Sequence, residues 1–108
     1  MFYVAALPRF IYCGDDAIEK IREIEGKRVF VVTDRIMVEL GFLNRVLEQL
    51  KDREVEVFSE VEPEPSIDIA LKAVEKARSF KPDLIVALGG GSCIDVAKTV
   101  WVPTKTPA

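Results

Sequence analysis

The sequence predicts an α/β fold: a Rossmann-like, partial doubly wound parallel sheet with flanking helices. Three short runs rich in β-branched residues, 28–33, 54–59 and 83–88, alternate with segments in which apolar residues recur at helical spacing. Parallel strands have to be joined by crossover connections, and this alternation of strand and helix supplies them. Three consecutive glycines directly after the last run predict a tight turn between a strand and a helix.

The remaining segments carry weaker signals. An extended "RFIYCG" leads into a turn at Gly14 and a short amphipathic helix, and Ser66 after two prolines is a candidate helix N-cap. The segment 102–108, "VPTKTPA", predicts an irregular end. The apolar residues that predict one buried face on each helix are Ala17, Ile18, Ile21 and Ile24, then Leu43, Val46, Leu47 and Leu50, then Ile67, Ala70, Leu71, Val74 and Ala77.

Composition restricts the classes of function. The 108 residues, 49% of them hydrophobic, suffice for one domain, and 15 basic against 18 acidic residues without a basic run argue against a nucleic-acid partner. The apolar runs are too short to span a bilayer and the first residues lack a signal-peptide pattern, so we expect a cytoplasmic protein without membrane contact. Cys13 and Cys93 form no C-x-x-C pair and are expected to be free thiols. Because the chain contains no histidine, we expect it to hold neither a catalytic residue nor a metal site.

The glycine loop, "LGGGS" at 88–92, has two interpretations. Backbone amides without neighbouring Cβ atoms at a helix N-terminus can bind a phosphate, although the loop completes neither the G-x-G-x-x-G nor the Walker A pattern. In the alternative, the glycines only make a tight connection, with Ser92 as the N-cap of the next helix and Asp95 as the acid of a capping box. The helix N-terminus would lower the pKa of the Cys93 thiol, yet without a histidine we expect a small packing thiol rather than a nucleophile.

The segment "GGGSCIDVAK" resembles the G-G-G-S-x-x-D-x-A-K signature of the iron-containing (group III) alcohol dehydrogenase family. Three further segments, "YCGDDAI", "VFVVTD" and "VEPEPS", resemble landmarks of that family in the same order. The resemblance implies that residues 1–108 form a single NAD(P)-binding domain, the N-terminal domain of the fold shared with dehydroquinate synthase. It further implies the nucleotide-binding half of an oxidoreductase that acts on an alcohol/aldehyde pair.

On this resemblance the glycine loop holds the pyrophosphate of NAD(P), Asp34 reaches the adenosine ribose, and Asp95 lies near the nicotinamide end. A carboxylate at position 34 would accept ribose hydroxyls and repel a 2′-phosphate, which favours NAD over NADP. The same residue could be the N-cap of a helix beginning near Arg35. Glu64 departs from the family, which often has asparagine there, so no binding role is assigned to it. The implied cofactor-binding residues are Asp34, Gly89, Gly90, Gly91, Ser92 and Asp95.

Full-length members of the family bind Fe²⁺ or another divalent metal in a helical C-terminal domain, which the resemblance does not extend to. We therefore expect this chain alone to hold the dinucleotide without dehydrogenase activity. One alternative is a non-catalytic module that forms a homodimer or pairs with a separate C-terminal metal-binding chain, through an apolar surface that includes Val100, Trp101 and Val102. Another alternative is a flavodoxin-like or phosphosugar-binding module.

Overall fold

The computed structural model describes residues 9–13, 15–64 and 66–101. Its strands are β1 (Arg9–Cys13), β2 (Arg28–Asp34), β3 (Glu54–Val61) and β4 (Leu84–Leu88). All pair in parallel within one sheet, in the order β1-β4-β2-β3. The predicted α/β class is confirmed, and the extended "RFIYCG" segment adds a fourth strand at the edge of the sheet.

Within the described residues, five helices connect or follow these strands. They are a 3₁₀ helix (Asp15–Glu23), α1 (Arg35–Glu39), α2 (Phe42–Gln49), α3 (Ile67–Phe80) and α4 (Gly91–Trp101). The first of them was predicted only as a short amphipathic helix. Ile18 and Ile21 within it and Ile24 directly after it recur every third residue, which is the repeat of a 3₁₀ helix, and Ile18 and Ile21 are buried. The predicted turn at Gly14 lies outside the described residues.

The sheet separates two apolar cores. On one face, α3 and α4 pack on side chains such as Phe30, Val32 and Phe58. On the other face, the 3₁₀ helix and α2 pack on Val29 and Val31. Because successive residues of a strand point to opposite faces, β2 is buried on both sides, as expected for a central strand of a parallel sheet.

Strand order determines where a ligand could enter. The chain leaves β2 for β3 on one side, then crosses back over β2 to place β4 on the other. The carboxyl ends of β2 and β4 therefore lie side by side, with Val32 paired to Ala87, and the connections that follow them diverge. Such a topological switch point leaves a crevice beyond the strand ends, where open α/β sheets bind their ligands.

Helix α3 has a narrower buried face than its sequence predicts. The Oγ of Ser66 accepts a hydrogen bond from the amide of Ile69 at 3.2 Å, so the predicted N-cap is confirmed. Ile67 and Leu71 are 78% and 55% exposed, however, and their predicted burial was wrong. At about 100° per residue these two side chains lie to one side of the face centred on the buried Ala73 and Ala77.

The end of α4 is part of the core. Val100 is buried, so its expected place in a docking surface was wrong, whereas Trp101 is half-buried and packs against the same cluster, and its part in such a surface stays a prediction. Val102 and the predicted irregular tail lie outside the described residues. Across the described part of the chain, every helix falls short of the length and apolarity needed to traverse a bilayer.

Candidate functional site

A cleft of about 780 Å³ opens at the switch point, beyond the carboxyl ends of the strands. Asp34 and Arg35 line it where β2 passes into α1, residues 59–63 line it at the end of β3, and residues 90–92 line it where α4 begins. Most of the residues predicted from the sequence thus converge on one space. Arg35 and the segment 59–63 were not predicted as lining residues. Arg35 could have been found, since it directly follows Asp34, but the contact of 59–63 comes from tertiary structure alone.

A second depression, of about 760 Å³, lies at the opposite, amino end of the strands. It is lined by charged residues, but several of their groups are bound to the protein itself. Asp83 accepts hydrogen bonds from the amides of Lys27 and Arg28, and the guanidinium of Arg53 donates to the carbonyl of Ile24. These contacts stabilise the fold, so the cleft at the carboxyl end is the better candidate site.

The three glycines of the loop differ in what surrounds them. Gly89 has φ of +138°, and a Cβ there would lie 2.7 Å from the Sγ of Cys93, so the fold itself requires glycine. A Cβ at Gly90 or Gly91 would meet no atom within 4 Å, and neither residue has a positive φ. The protein alone gives no reason for glycine at these two positions, whereas a ligand approaching the backbone closely would.

The backbone amides of Gly91 and Ser92 are available to such a ligand. The amides of Cys93 and Ile94 donate to the carbonyl of Gly90 at 3.1 and 3.2 Å and begin α4. The amide of Gly90 donates toward the Sγ of Cys93, whereas among the residues that the structure describes the amides of Gly91 and Ser92 have no hydrogen-bond acceptor. Unsatisfied amides at a helix N-terminus carry the positive end of the helix dipole, and they favour a bound anion.

Ser92 braces the loop rather than capping the helix. Its hydroxyl donates to the carbonyl of Pro63 at 2.7 Å, which ties the glycine loop to the segment after β3. Because α4 begins at Gly91, two residues before the Cys93 start that a cap at Ser92 requires, the alternative of a capping box with Asp95 was wrong. Asp95 is exposed on α4 and lies outside the cleft lining, so its contact with the nicotinamide end stays a prediction.

Asp34 has the helix-capping role that the sequence left open. Its Oδ1 accepts from the amide of Met37 at 2.9 Å, which makes it the N-cap of α1. Its Oδ2 lies 3.5 Å from the Sγ of Cys93. An ionised carboxylate has about four lone-pair positions, and these two contacts leave room for two further donors. Capping and ribose binding are therefore compatible at this half-buried residue.

The Cys93 thiol is a protonated packing group. Its side chain is fully buried, and burial together with the negative charge of Asp34 raises its pKa to about 12. The expectation of a lowered pKa was therefore wrong, because the loss of solvent outweighs the favourable helix N-terminus. At neutral pH this thiol is a hydrogen-bond donor and not a nucleophile.

The described residues do not fit an iron centre. The sequence contains no histidine, and the described ranges contain no group of three or more Cys, Asp or Glu residues able to hold a metal ion. What the cleft offers instead is a set of amides, the carboxylates of Asp34, Glu60 and Glu62, the guanidinium of Arg35 and an apolar wall. That donor set suits a phosphate linked to a sugar rather than a metal.

Comparison with known proteins agrees with this arrangement. The family model described as iron-containing alcohol dehydrogenase matches residues 8–107. The chain is 45% identical over 108 residues to the aldehyde-alcohol dehydrogenase of Streptococcus pneumoniae, covering 94% of this chain and 12% of that protein. It is 41% identical over 107 residues to the NADPH-dependent butanol dehydrogenase of Clostridium saccharobutylicum, covering 93% of this chain and 28% of that protein.

Solved structures show the same relationship. The iron-containing alcohol dehydrogenase of Thermotoga maritima superposes with a TM-score of 0.73 at 38% identity, over 97% of this chain and 30% of that one. The aldehyde reductase YqhD of Escherichia coli gives a TM-score of 0.76 at 28% identity, over 98% of this chain and 28% of that one. The chain thus spans less than a third of the length of the proteins named here. It belongs to the iron-containing alcohol dehydrogenase family and carries the N-terminal region of that family's fold.

Proposed function

We propose that this chain binds a nicotinamide dinucleotide, as the nucleotide-binding region of an iron-type alcohol dehydrogenase. The observation that carries the proposal is the pair of amides at Gly91 and Ser92, which have no acceptor among the described residues and line the cleft at the switch point. Two linked phosphates need more than one N–H donor and a close approach to the main chain. The loop offers both, because Gly90 and Gly91 leave open space where side chains would stand.

The adenosine end of the dinucleotide is assigned to Asp34. Its free lone pairs can accept the two ribose hydroxyls, and its negative charge would repel a 2′-phosphate, so we propose a preference for NAD over NADP. Arg35 lines the same part of the cleft and is the residue that opposes this preference, since a guanidinium attracts a 2′-phosphate. The ratio of the affinities for NADH and NADPH measures which charge dominates.

Gly91→Val tests the role of the loop. In place of open space the variant puts a branched side chain where a phosphate would approach, and the fold can accept it because no atom lies within 4 Å of the added Cβ. We expect the chain to bind NADH and ADP-ribose with a Kd in the high-micromolar to millimolar range, about −4 to −6 kcal/mol, and the variant to show no measurable binding. Titration calorimetry or saturation-transfer NMR measures both.

A matched control is Thr99→Val, which places valine at an exposed position of the same helix, away from the cleft. It should bind like the wild type. Equal binding by the wild type and Gly91→Val would contradict the role of the loop. Binding of FMN or a sugar phosphate in preference to NADH would favour the flavodoxin-like or phosphosugar-binding alternative.

We also propose that the chain alone does not oxidise alcohols. A nicotinamide cofactor supplies the hydride acceptor and a metal polarises the alcohol oxygen in such a reaction, and the described residues do not fit a metal. Incubation with NAD, Fe²⁺ or Zn²⁺ and simple alcohols should give the rate of a protein-free blank. The same sample should bind ADP-ribose, which shows that the preparation is folded. Turnover above the blank would contradict the proposal.

A second candidate function is contact with another polypeptide. Large apolar side chains are exposed on α1 and directly after it and at the start of α3, and β3 is an edge strand of the sheet. These residues are Ile36, Val38, Leu40, Ile67 and Leu71. Light scattering distinguishes a monomer from a homodimer, and a pull-down tests for a separate C-terminal chain.

The cytoplasmic location and the single-domain boundaries also stay predictions.

A further inference from the structure

Three elements meet at the carboxylate of Asp34. The residue ends β2 and caps α1, and its Oδ2 lies 3.5 Å from the Sγ of Cys93 in the first turn of α4. Its Oδ1 accepts from the amide of Met37 at 2.9 Å. Both oxygens are thus contacted by groups on elements that border the cleft, and the carboxylate is held from two directions.

The thiol makes this contact as a donor. Its high pKa keeps it protonated at neutral pH, and the carboxylate beside it is an acceptor only. The side chain of Cys93 is fully buried within the apolar cluster under α4, so neighbouring side chains restrict its orientation. A weak donor that is fixed in place can still select one orientation of the group it contacts.

Gly89 makes room for this pair. A Cβ at position 89 would lie 2.7 Å from the Sγ of Cys93 and 3.3 Å from the Oδ2 of Asp34. The first glycine of the loop therefore serves the contact between thiol and carboxylate, while Gly90 and Gly91 leave space for a ligand. The loop that is proposed to hold the phosphates and the carboxylate proposed to hold the ribose are packed as one unit.

We propose that Cys93 is a positioning residue that orients the carboxylate of Asp34 and thereby sets how strictly the cleft discriminates against a 2′-phosphorylated dinucleotide. This inference rests on the proposed function. A carboxylate fixed by the thiol and by Met37 presents its free lone pairs in one direction, toward two ribose hydroxyls. Without the thiol the side chain could turn away, so NADH would lose affinity while NADPH would be repelled less.

The test compares Cys93→Ala, which removes the donor, with Cys93→Ser, which keeps one. The control is Val96→Ala, which shortens another buried side chain of α4 and costs stability without an assigned contact to Asp34. For each variant, NMR titration gives the ratio of the Kd for NADPH to the Kd for NADH. Amide hydrogen exchange of Met37 reports on the cap separately from any nucleotide.

We expect Cys93→Ala to lower the ratio by about threefold to tenfold, the net effect of one ordinary hydrogen bond, since a thiol is a weak donor, and to speed exchange at Met37. Cys93→Ser should keep most of the ratio, and Val96→Ala should keep all of it despite a lower Tm. An unchanged ratio in Cys93→Ala, or an equal decrease in Val96→Ala, would overturn the inference while leaving dinucleotide binding intact. A wild-type chain that binds neither NADH nor NADPH would instead overturn the proposed function, and this inference with it.

Discussion

At the scale of single residues, the three glycines of the loop have different roles: the fold requires Gly89, whereas Gly90 and Gly91 leave space for a ligand. Gly89 adopts a backbone conformation that L-residues rarely take and lies against the thiol of Cys93. Gly90 and Gly91 meet no such restriction in the chain itself. Substitution at the first position should therefore reduce stability, whereas substitution at the others should act on binding.

Gly89→Ala is predicted to lower the free energy of unfolding by about 1 to 3 kcal/mol, because the new Cβ enforces a strained φ and contacts Sγ at less than a normal separation. Gly90→Ala is the matched control and should change it by no more than about 0.5 kcal/mol. Urea denaturation followed by circular dichroism measures both. Equal losses in the two variants would show that the open surroundings of Gly90 are not maintained in solution.

At the scale of elements, the sequence located the strands within two residues of their observed ends. The runs 28–33 and 83–88 became β2 and β4 because strands buried on both faces need continuous apolar runs, which stand out in the sequence. The run 54–59 became the edge strand β3, and it was recognisable from its alternation of charged and apolar residues. The helices at 42–49 and 67–80 followed from their apolar spacing in the same way. Local chemistry also gave the caps at Asp34 and Ser66, since a cap depends on residues only three positions apart.

Other features of the elements depend on tertiary contacts and were not predictable. Whether Ile67 faces the core depends on how α3 is rotated about its axis on the sheet. The apolar spacing of α3 does not determine that rotation to within one side chain. The bond from Ser92 to the carbonyl of Pro63 joins residues 29 positions apart and leaves no side-chain signature at the acceptor. The raised pKa of Cys93 follows from burial beside Asp34, a neighbour 59 positions away.

At the scale of the whole molecule, the two ends of the sheet have different roles. The carboxyl end carries the cleft, with amides that have no acceptor among the described residues. At the amino end, long-range hydrogen bonds join β2 to the start of β4. Asp83 accepts from the amides of Lys27 and Arg28, its own amide donates to the carbonyl of Arg28 at 2.9 Å, and Arg28 donates from Nε to the carbonyl of Phe80 at 2.9 Å. Stability and binding should therefore respond to different substitutions.

Asp83→Asn tests this separation and adds a pH dependence. Burial alone would raise the pKa of Asp83, but hydrogen bonds from the amides of Lys27 and Arg28 lower it. The lowering outweighs the effect of burial, so the pKa of Asp83 lies below its ordinary value. A carboxyl group whose pKa is lower in the folded than in the unfolded chain stabilises the fold above the unfolded pKa, about 3.9, and loses that contribution as the pH falls through the folded pKa. The variant should therefore lose about 1 kcal/mol of the free energy of unfolding at pH 7, a modest value because the site is exposed, and the loss should shrink as the pH falls below about 4.

Urea midpoints measured from pH 7 to pH 3 give the size of this loss and its pH dependence. The control is Asp52→Asn, which changes an exposed acid of the same depression without an assigned hydrogen bond among the described residues, and it should show neither effect. The affinity of Asp83→Asn for NADH should equal that of the wild type; a loss of affinity, or a stability difference that persists unchanged to pH 3, would contradict the assignment of the amino end to stability alone.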